Sequence, residues 1–110
     1  MKNSRLEIRL LGPIEITYGD QPVKISRRAE RGILYYLAIE NRPVSRERLI
    51  DLLWPKAEQV DPRGTLRTAL SRLRKNFPDK TLLVTELDQV SLDFSRCFVD
   101  LVEFSVSYHS

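Results

Sequence analysis

The chain has 110 residues, enough for one domain with a single hydrophobic core and too few for two ordinary domains. Its formal net charge of +3 is only mildly basic, so the overall charge alone does not indicate a nucleic-acid partner. A single cysteine excludes an internal disulfide, and no apolar run has the length of a membrane span or resembles a secretory leader. With one histidine and no close carboxylate cluster, we expect no metal, no cofactor and no enzyme activity, and we assign the chain to the cytoplasm.

The charge is unevenly distributed along the sequence. Acidic residues gather between Glu86 and Glu103. Basic residues gather in segment 61–76 and in two earlier clusters, which are Arg27, Arg28 and Arg31, and Arg42, Arg46 and Arg48. This polarity says more about possible partners than the net charge does.

The first 25 residues predict a small antiparallel sheet. Three short apolar runs are typical of strands, and they cover residues 5–11, 14–18 and 21–25. Gly12 and Pro13 separate the first two runs, and Gly19 with Asp20 forms a hairpin-type turn before the third. Pro22 lacks the N–H that a central strand requires, so we expect the third run at an edge of the sheet.

Residues 27–40 predict a first helix. Ser26 is the expected N-cap, and Asn41 with Pro43 marks the end of the helix. The inward face is expected to hold Ile33, Leu34 and Leu37. Positive charge in the first turns opposes the helix dipole, and the sequence leaves open whether the three arginines there contact phosphate or only solvent.

A second, shorter helix is predicted after Val44. Ser45 is the expected N-cap, and Val44 and Leu49 occupy the two positions of a hydrophobic staple. Trp54 precedes Pro55, which stops the helix, and we expect the indole to fill the core between the helices and the sheet. The predicted buried face consists of Leu49, Ile50 and Leu53.

Residues 61–76, DPRGTLRTALSRLRKN, predict a third helix after a loop over residues 55–60. Asp61 is the expected N-cap, and Pro62 suits the first helical position, where no N–H is needed. At about 100° per residue, the apolar stripe comprises Leu66, Leu70, Leu73 and Phe77, with Ala69 beside it. The opposite face comprises Gly64, Thr68, Ser71 and Lys75, with Arg63, Arg67 and Arg74 along one shoulder and Arg72 on the other.

The polar side of the third helix carries groups that bind DNA bases and phosphates. After Asp61 no acidic residue interrupts it, although an ordinary solvated helix usually mixes both signs of charge. Two helices joined by a short loop, the second with a basic outer face, are typical of the helix-turn-helix. We therefore interpret residues 61–76 as a recognition helix for the major groove. A merely solvated basic face is the alternative.

The remaining residues predict a β-hairpin followed by the start of another element. Two strands are expected at residues 82–85 and 89–94, around a turn near Leu87. The predicted fold class is α+β, a winged helix-turn-helix with an N-terminal antiparallel sheet, three helices and a C-terminal β-hairpin. We expect this domain to span residues 1–97, with residues 98–110 beginning a linker or helix toward a further, C-terminal domain.

Three segments of the sequence resemble one known family. They are RLLGPIEITYGDQPVKI, SRRAERGILYYLAIENRPVSRERLIDLLWP and RGTLRTALSRLRKNF. Their most specific motifs are LGP at 11–13, RPVSR at 42–46, LWP at 53–55 and LSRLR at 70–74. In this order, across nearly the whole chain, they resemble the OmpR-type winged helix that opens the bacterial activators of the Streptomyces antibiotic regulatory protein family.

The resemblance implies a function and partners. In that family the domain binds direct-repeat promoter DNA, the third helix enters the major groove, and the bound protein engages RNA polymerase. The loop between the second and third helices faces the polymerase, which implies that role for Lys56, Glu58 and Gln59. No membrane partner is implied. Because no apolar stripe remains outside the presumed core, we expect a monomer when free and a tandem dimer on DNA.

The residues of the DNA interface are predicted from where each side chain points on the helix. Arg67, Thr68 and Ser71 are expected to contact bases, because they can offer a guanidinium, a methyl group and hydroxyls to base edges. Phosphate contacts are expected from Arg63, Arg74, Lys75, Arg42 and Arg46. The hairpin turn carries Glu86 and Asp88, whose carboxylates repel a phosphate backbone, so we assign no contact to it.

Two other functions compete with DNA reading. A winged-helix protein-interaction module would dock an acidic partner on the same basic face without reading DNA. RNA binding is weaker, because no aromatic residues are interleaved on the basic face for base stacking. Salt dependence and sequence preference separate these functions, since binding through several phosphates falls steeply with salt and only base reading survives competition by unrelated DNA.

Overall fold

The computed structural model describes residues 5–54 and 61–100 of the chain. Within these residues, three α-helices, two short 3₁₀-helices (Lys80–Leu82 and Phe94–Arg96) and two sheets surround one hydrophobic core. The helices are α1 (Arg28–Glu40), α2 (Arg46–Leu53) and α3 (Pro62–Asn76). The strands are β1 (Leu6–Arg9), β2 (Glu15–Tyr18), β3 (Gln21–Pro22), β4 (Val44–Ser45), β5 (Leu83–Glu86), β6 (Gln89–Leu92) and β7 (Cys97–Val99).

The N-terminal sheet has the strand order β3-β2-β1-β7. β1 pairs antiparallel with β2, which places Ile8 opposite Ile16, and β3 with Pro22 lies at the edge as predicted. β7 adds a parallel strand on the other side of β1, with Leu6 opposite Cys97. The sequence does not predict β7, because three residues are too few to show a period-two pattern.

The C-terminal hairpin is confirmed and belongs to a second sheet with the order β4-β6-β5. β5 and β6 pair antiparallel up to Glu86 opposite Gln89, so two residues form the turn. The first of them, Leu87, has a φ of 52° and is fully exposed. β4 pairs with β6 through Val44 opposite Val90. This pairing, also absent from the sequence prediction, attaches the start of α2 to the hairpin.

The core lies between the helices and the two sheets. The buried faces predicted for α1 and α3 are confirmed, and they comprise Ile33, Leu34 and Leu37, and Leu66, Ala69, Leu70 and Leu73 with Phe77 after the helix end. α2 lies nearer the surface: Leu49 is buried, whereas Ile50 is only half-buried and Leu53 is likewise not fully covered, so its predicted face is partly wrong. Trp54 packs against the core from a half-buried position instead of filling it.

The starts of α2 and α3 are capped as predicted. The hydroxyl of Ser45 accepts a hydrogen bond from the N–H of Arg48 at 3.1 Å. The carboxylate of Asp61 accepts one from the N–H of Gly64 at 3.0 Å, and Pro62 follows at the first helical position. Each cap satisfies an N–H that the helix itself leaves without a partner.

The start of α1 differs from the prediction. The expectation that Ser26 caps a helix from residue 27 is wrong: α1 begins at Arg28, and Arg27 occupies the N-cap position without a side-chain hydrogen bond. The guanidinium of Arg31 donates to the carbonyl oxygens of Ile25 and Ser26, at 3.2 and 2.6 Å. These bonds tie the residues before the helix to its first turn.

The end of the described chain is attached to β1. The carboxylate of Asp100 accepts hydrogen bonds from the N–H groups of Leu10 at 2.8 Å and Leu11 at 3.2 Å. The domain boundary expected at residue 97 stays a prediction, and residues 101–110 of the expected linker or helix lie outside the described residues.

An ionic cluster lies where the hairpin meets β7. The guanidinium of Arg96 donates to the carboxylates of Asp79 at 2.8 Å and Asp93 at 3.1 Å. The hydroxyls of Thr81 and Ser95 donate to the same two carboxylates. Hydrogen bonds from Thr81 and then from Arg96 lower the pKa of Asp79 to about 2, so this carboxyl is ionised in the folded protein down to strongly acidic pH.

Candidate nucleic-acid interface

The outer face of α3 consists of Thr68, Ser71 and Lys75, which point away from the core. All three are exposed, and so is the neighbouring Arg67. Among the residues that the structure describes, none accepts or donates a hydrogen bond to these four side chains. Their hydrogen-bonding groups are therefore free for an outside partner. The three residues predicted to contact bases do lie together on one exposed arc; their role stays a prediction.

One shoulder of α3 faces the hairpin and is partly neutralised. The guanidinium of Arg63 lies 3.4 Å from a carboxylate oxygen of Glu47 in α2 and 3.4 Å from one of Asp88 in the hairpin turn. All three side chains are more than half exposed, so the pairs are weak and open to competition. A phosphate that approaches Arg63 competes with two carboxylates already there.

The start of α2 lies beside the same shoulder. Arg46 lines a shallow groove together with Arg63, Arg67 and the turn residues Leu87 and Asp88. The backbone N–H of Arg46 donates to the carbonyl of Asp88 at 2.9 Å. One continuous surface is therefore formed by the first turn of α2, the hairpin turn and α3. Arg46, which is predicted to contact phosphate, lies on this surface.

Arg74 holds the hairpin against α3. Its half-buried guanidinium donates to the carbonyl of Leu83 at 3.1 Å and to the hydroxyl of Thr85 at 3.3 Å. The geometry gives Arg74 a structural use that the helical wheel does not reveal, because the wheel shows direction but not which strand lies there. To contact a phosphate as predicted, Arg74 must either reach it while these bonds remain or give them up for the phosphate.

Arg42 does not join this surface, and the predicted polymerase-facing residues are not among those that the structure describes. Arg42 pairs with Glu40 at 3.1 Å and lines a different groove, beside Tyr36 and Arg48. Lys56, Glu58 and Gln59 lie outside the described residues. The roles of Arg42 and of these three residues stay predictions.

The other shoulder of α3 faces the start of α1. Arg72 and Thr68 line a groove with Arg27, Arg28 and Trp54. Two arginines from the start of the first helix and one of the third thus border the same depression. From the sequence, the relation of these segments is not visible, because 44 positions separate Arg28 from Arg72.

A buried carboxylate fixes the two helices at this groove. Glu30 is 1% exposed, and it accepts a hydrogen bond from the side-chain amide of Asn76 at the end of α3, at 3.2 Å. Its other oxygen lies 3.6 Å from Arg27. A buried carboxylate needs such partners, because losing water without replacement is costly. Glu30 is not among the residues predicted from the sequence; an isolated acid within the basic cluster at 27–31 is the signal that points to it.

The fold and the exposed surface together define a winged helix-turn-helix domain with a basic third helix. Many proteins of this class regulate transcription by binding DNA. No helix in residues 5–54 or 61–100 is both long and apolar enough to cross a membrane. Within the same ranges, no three histidine, cysteine or acidic side chains converge as a metal site would require.

Comparisons with known proteins identify the family. The model of the family described as "Transcriptional regulatory protein, C terminal" matches residues 20–89, from the β2–β3 turn to the first residue of β6. The chain belongs to this family, which confirms the OmpR-type winged helix predicted from the sequence and makes the domain a transcriptional regulatory module, not an enzyme.

The relatives found include the transcriptional regulatory protein EmbR of Mycobacterium bovis and of Mycobacterium tuberculosis. Each is 36% identical over 72 residues, which are 64% of this chain and 19% of the relative. A solved structure of Mycobacterium tuberculosis EmbR in complex with a low affinity phosphopeptide matches with a TM-score of 0.68 and 29% identity, over 84% of this chain and 27% of that chain. These similarities support the predicted link to the Streptomyces antibiotic regulatory protein family. The chain thus spans about a fifth of the length of its curated relatives.

Proposed function

We propose that this chain binds double-stranded promoter DNA sequence-specifically, with α3 in the major groove, as the N-terminal domain of a bacterial transcriptional activator. The supporting observation is the exposed arc of Arg67, Thr68 and Ser71, whose side chains have no partner among the described residues. The opposite side of α3 is buried in the core, so the arc is held on a rigid element.

The dimensions of α3 suit this role. Its 15 residues give a length of about 22 Å and a diameter of about 10–12 Å, which a major groove about 12 Å wide admits. Of the exposed groups, the guanidinium of Arg67 can bind guanine through two hydrogen bonds. Thr68 and Ser71 offer a methyl group and hydroxyls to neighbouring base edges. Lys75, near the end of the helix, supplies charge to a phosphate without reading sequence.

The partners and assembly follow from the family and stay part of the proposal. Direct-repeat sites would bring two copies side by side, and each copy then adds to the apparent affinity of the other. RNA polymerase is the proposed second partner, contacted through the loop that contains Glu58 and Gln59. The cytoplasm, where bacterial DNA lies, is the proposed location.

Selection of binding sites from random duplex DNA with this chain tests the proposal. We expect a recurring sequence to emerge and to outcompete a scrambled duplex at 0.1 M salt, taken as roughly the ionic strength of the cell. A basic module that only docks acidic partners would enrich no sequence and would bind both duplexes alike.

Two variants then assign roles along α3. Arg67→Ala is expected to cost about 1–3 kcal/mol on the selected site and to relax the preference at one base position. Lys75→Ala is the matched control on the same helix; it should weaken all duplexes alike and reduce the magnitude of the salt slope by about one. The assignment is wrong if Lys75→Ala changes the sequence preference while Arg67→Ala does not.

A further inference from the structure

The arginines predicted to contact phosphate from α2 and α3 leave one side of the recognition helix unassigned. Arg46 and Arg63 lie toward the hairpin, as does Arg67, which is predicted to contact bases. A helix in the major groove is about as wide as the groove, so each of its two sides faces the phosphates of a different strand. The side of α3 that carries Arg72 must therefore also pass close to a phosphate backbone.

On that side the structure brings together cations from two helices. Arg28 in the first turn of α1 and Arg72 in α3 border one groove with Thr68 and Trp54. Neither guanidinium is paired with a described residue, so both are available to an outside anion. On the hairpin side, two of the arginines of α3 are engaged within the protein: Arg63 is bound to carboxylates and Arg74 to a strand.

The two other arginines at the start of α1 are engaged within the protein. Arg31 donates to the carbonyl oxygens of Ile25 and Ser26, and Arg27 lies 3.6 Å from the buried Glu30. This separates three arginines that the sequence presents as equivalent. Arg28 alone among them has no intramolecular partner in the described residues.

The position of Arg28 relative to α3 is fixed in advance. Glu30, two residues after Arg28, is buried and bound to the amide of Asn76 in α3 at 3.2 Å. α1 therefore cannot turn its first residues away from α3 without breaking the hydrogen bond of a buried carboxylate. A cation on a fixed backbone segment loses less conformational entropy when it binds than one on a mobile segment.

We propose that Arg28 and Arg72 form a second phosphate-binding surface, which contacts the DNA strand opposite to the one contacted from the Arg46 side. This inference rests on the proposed function and adds to it the path of the second strand. The surface fits a line of phosphates, because it is cationic and extends over two helices. The carboxylate that borders it, that of Glu30, is buried and turned toward Asn76 and Arg27.

The test combines arginine variants with single neutral phosphates. A duplex selected by this chain is prepared in versions that each carry one methylphosphonate linkage, stepping through both strands. Affinities are measured at 0.1 M salt, taken as roughly the cellular value, for the wild type, Arg28→Ala, Arg72→Ala and Arg46→Ala. Arg9→Ala, an exposed arginine on the N-terminal sheet, is the charge-matched control.

Each phosphate contact adds about 0.9 to the slope of log affinity against log salt concentration. Between 1 M and 0.1 M salt, one contact therefore strengthens binding by a factor of about 10 to the power 0.9, which is about eightfold. Losing one contact should weaken binding at 0.1 M salt by about the same factor. We expect such a loss for Arg28→Ala and Arg72→Ala and none for Arg9→Ala. Neutral phosphates that weaken the wild type but not the Arg28 or Arg72 variant should lie on one strand. Neutral phosphates that weaken the wild type but not the Arg46→Ala variant should lie on the other strand.

The inference is overturned if the Arg28 and Arg72 variants bind with wild-type affinity. It is also overturned if the phosphates that depend on Arg28 or Arg72 lie on the same strand as those that depend on Arg46. Arg67→Ala distinguishes this failure from failure of the proposed function. If it loses sequence preference while the Arg28 and Arg72 variants bind as the wild type, only the second surface is refuted. If the wild type itself shows no preference over scrambled DNA, the proposed function and this inference are both refuted. Thermal melts monitored by circular dichroism confirm that each variant is folded.

Discussion

The ionic contact between Arg63 and the hairpin turn predicts that Asp88 restrains DNA binding. Asp88 lies 3.4 Å from the guanidinium of Arg63, and the turn is beside the proposed DNA surface. Replacing it with asparagine removes a charge that repels phosphate, and among the described residues it leaves Arg63 with Glu47 as its ionic partner. We therefore expect Asp88→Asn to bind DNA more tightly than the wild type.

The magnitude of this increase follows from the phosphate that Arg63 becomes free to bind. If Arg63 makes one full additional phosphate contact, the salt slope steepens by about 0.9 and affinity at 0.1 M salt rises about eightfold. The cost to folding is small, because both partners are more than half exposed and such pairs contribute about 0–1 kcal/mol. The melting temperature should therefore change little while DNA affinity changes clearly.

Fluorescence anisotropy with a labelled selected duplex, across several salt concentrations, measures both affinity and slope. Asp20→Asn is the matched control, because Asp20 is an exposed turn aspartate with a φ of 70°, a conformation that asparagine tolerates. The double variant with Arg63→Ala separates the two effects: any increase in affinity from Asp88→Asn that remains in it reports direct repulsion of phosphate. An Asp88→Asn affinity and slope equal to those of Asp20→Asn would show that Asp88 does not restrain binding.

Three further predictions concern the folded domain. Leu73→Ala removes a fully buried side chain from α3 and should lower the free energy of unfolding by about 2–5 kcal/mol in urea titrations, whereas the exposed Lys75→Ala should change it by less than about 0.5 kcal/mol. The pKa of Asp79 falls from 3.8 to about 2 on folding, so its ionised form stabilises the fold above 3.8 and that contribution is lost as the pH falls through about 2. Asp79→Asn should therefore be less stable than the wild type at neutral pH, with the difference in melting temperature vanishing toward about pH 2; a constant difference would contradict this. Burial first, and then the charge of Asp93, raises the pKa of the Cys97 thiol to about 12. Alkylation at neutral pH, followed by mass spectrometry, should therefore be far slower in the native protein than in the urea-unfolded protein. Equal alkylation rates would contradict this.

The sequence predicts the helices well, because their signals are local. The apolar stripe of α3, the caps at Ser45 and Asp61 and the left-handed end of α1 at Asn41 all depend on residues within a few positions of one another. These predictions are confirmed. The strands β4 and β7 are missed for the opposite reason. Two or three residues carry no period, and their pairing is decided by partners far away in the sequence, such as Val90 for Val44.

The candidate interface shows the same difference: the sequence predicts the direction of each arginine of α3 but not its binding partner. A helical wheel places Arg63, Arg67, Arg72 and Arg74 correctly around α3, since direction follows from spacing alone. It gives no information on which guanidinium is already bound. Arg74 is bound to β5 and Arg63 to Glu47 and Asp88, and these contacts come from other elements of the fold.

This difference bears on how tightly one copy of the domain can bind DNA. Counting arginines near α3 overestimates the charge available to phosphates, because those already bound to carboxylates or carbonyls must first give up these contacts. A carboxylate partner also offsets part of the counterion release that drives association with DNA. A single copy should therefore bind more weakly than its basic helix suggests, with sequence reading concentrated in Arg67, Thr68 and Ser71. Weak single-site binding makes the proposed direct repeats effective, because two adjacent copies multiply a modest affinity and leave isolated half-sites largely unoccupied.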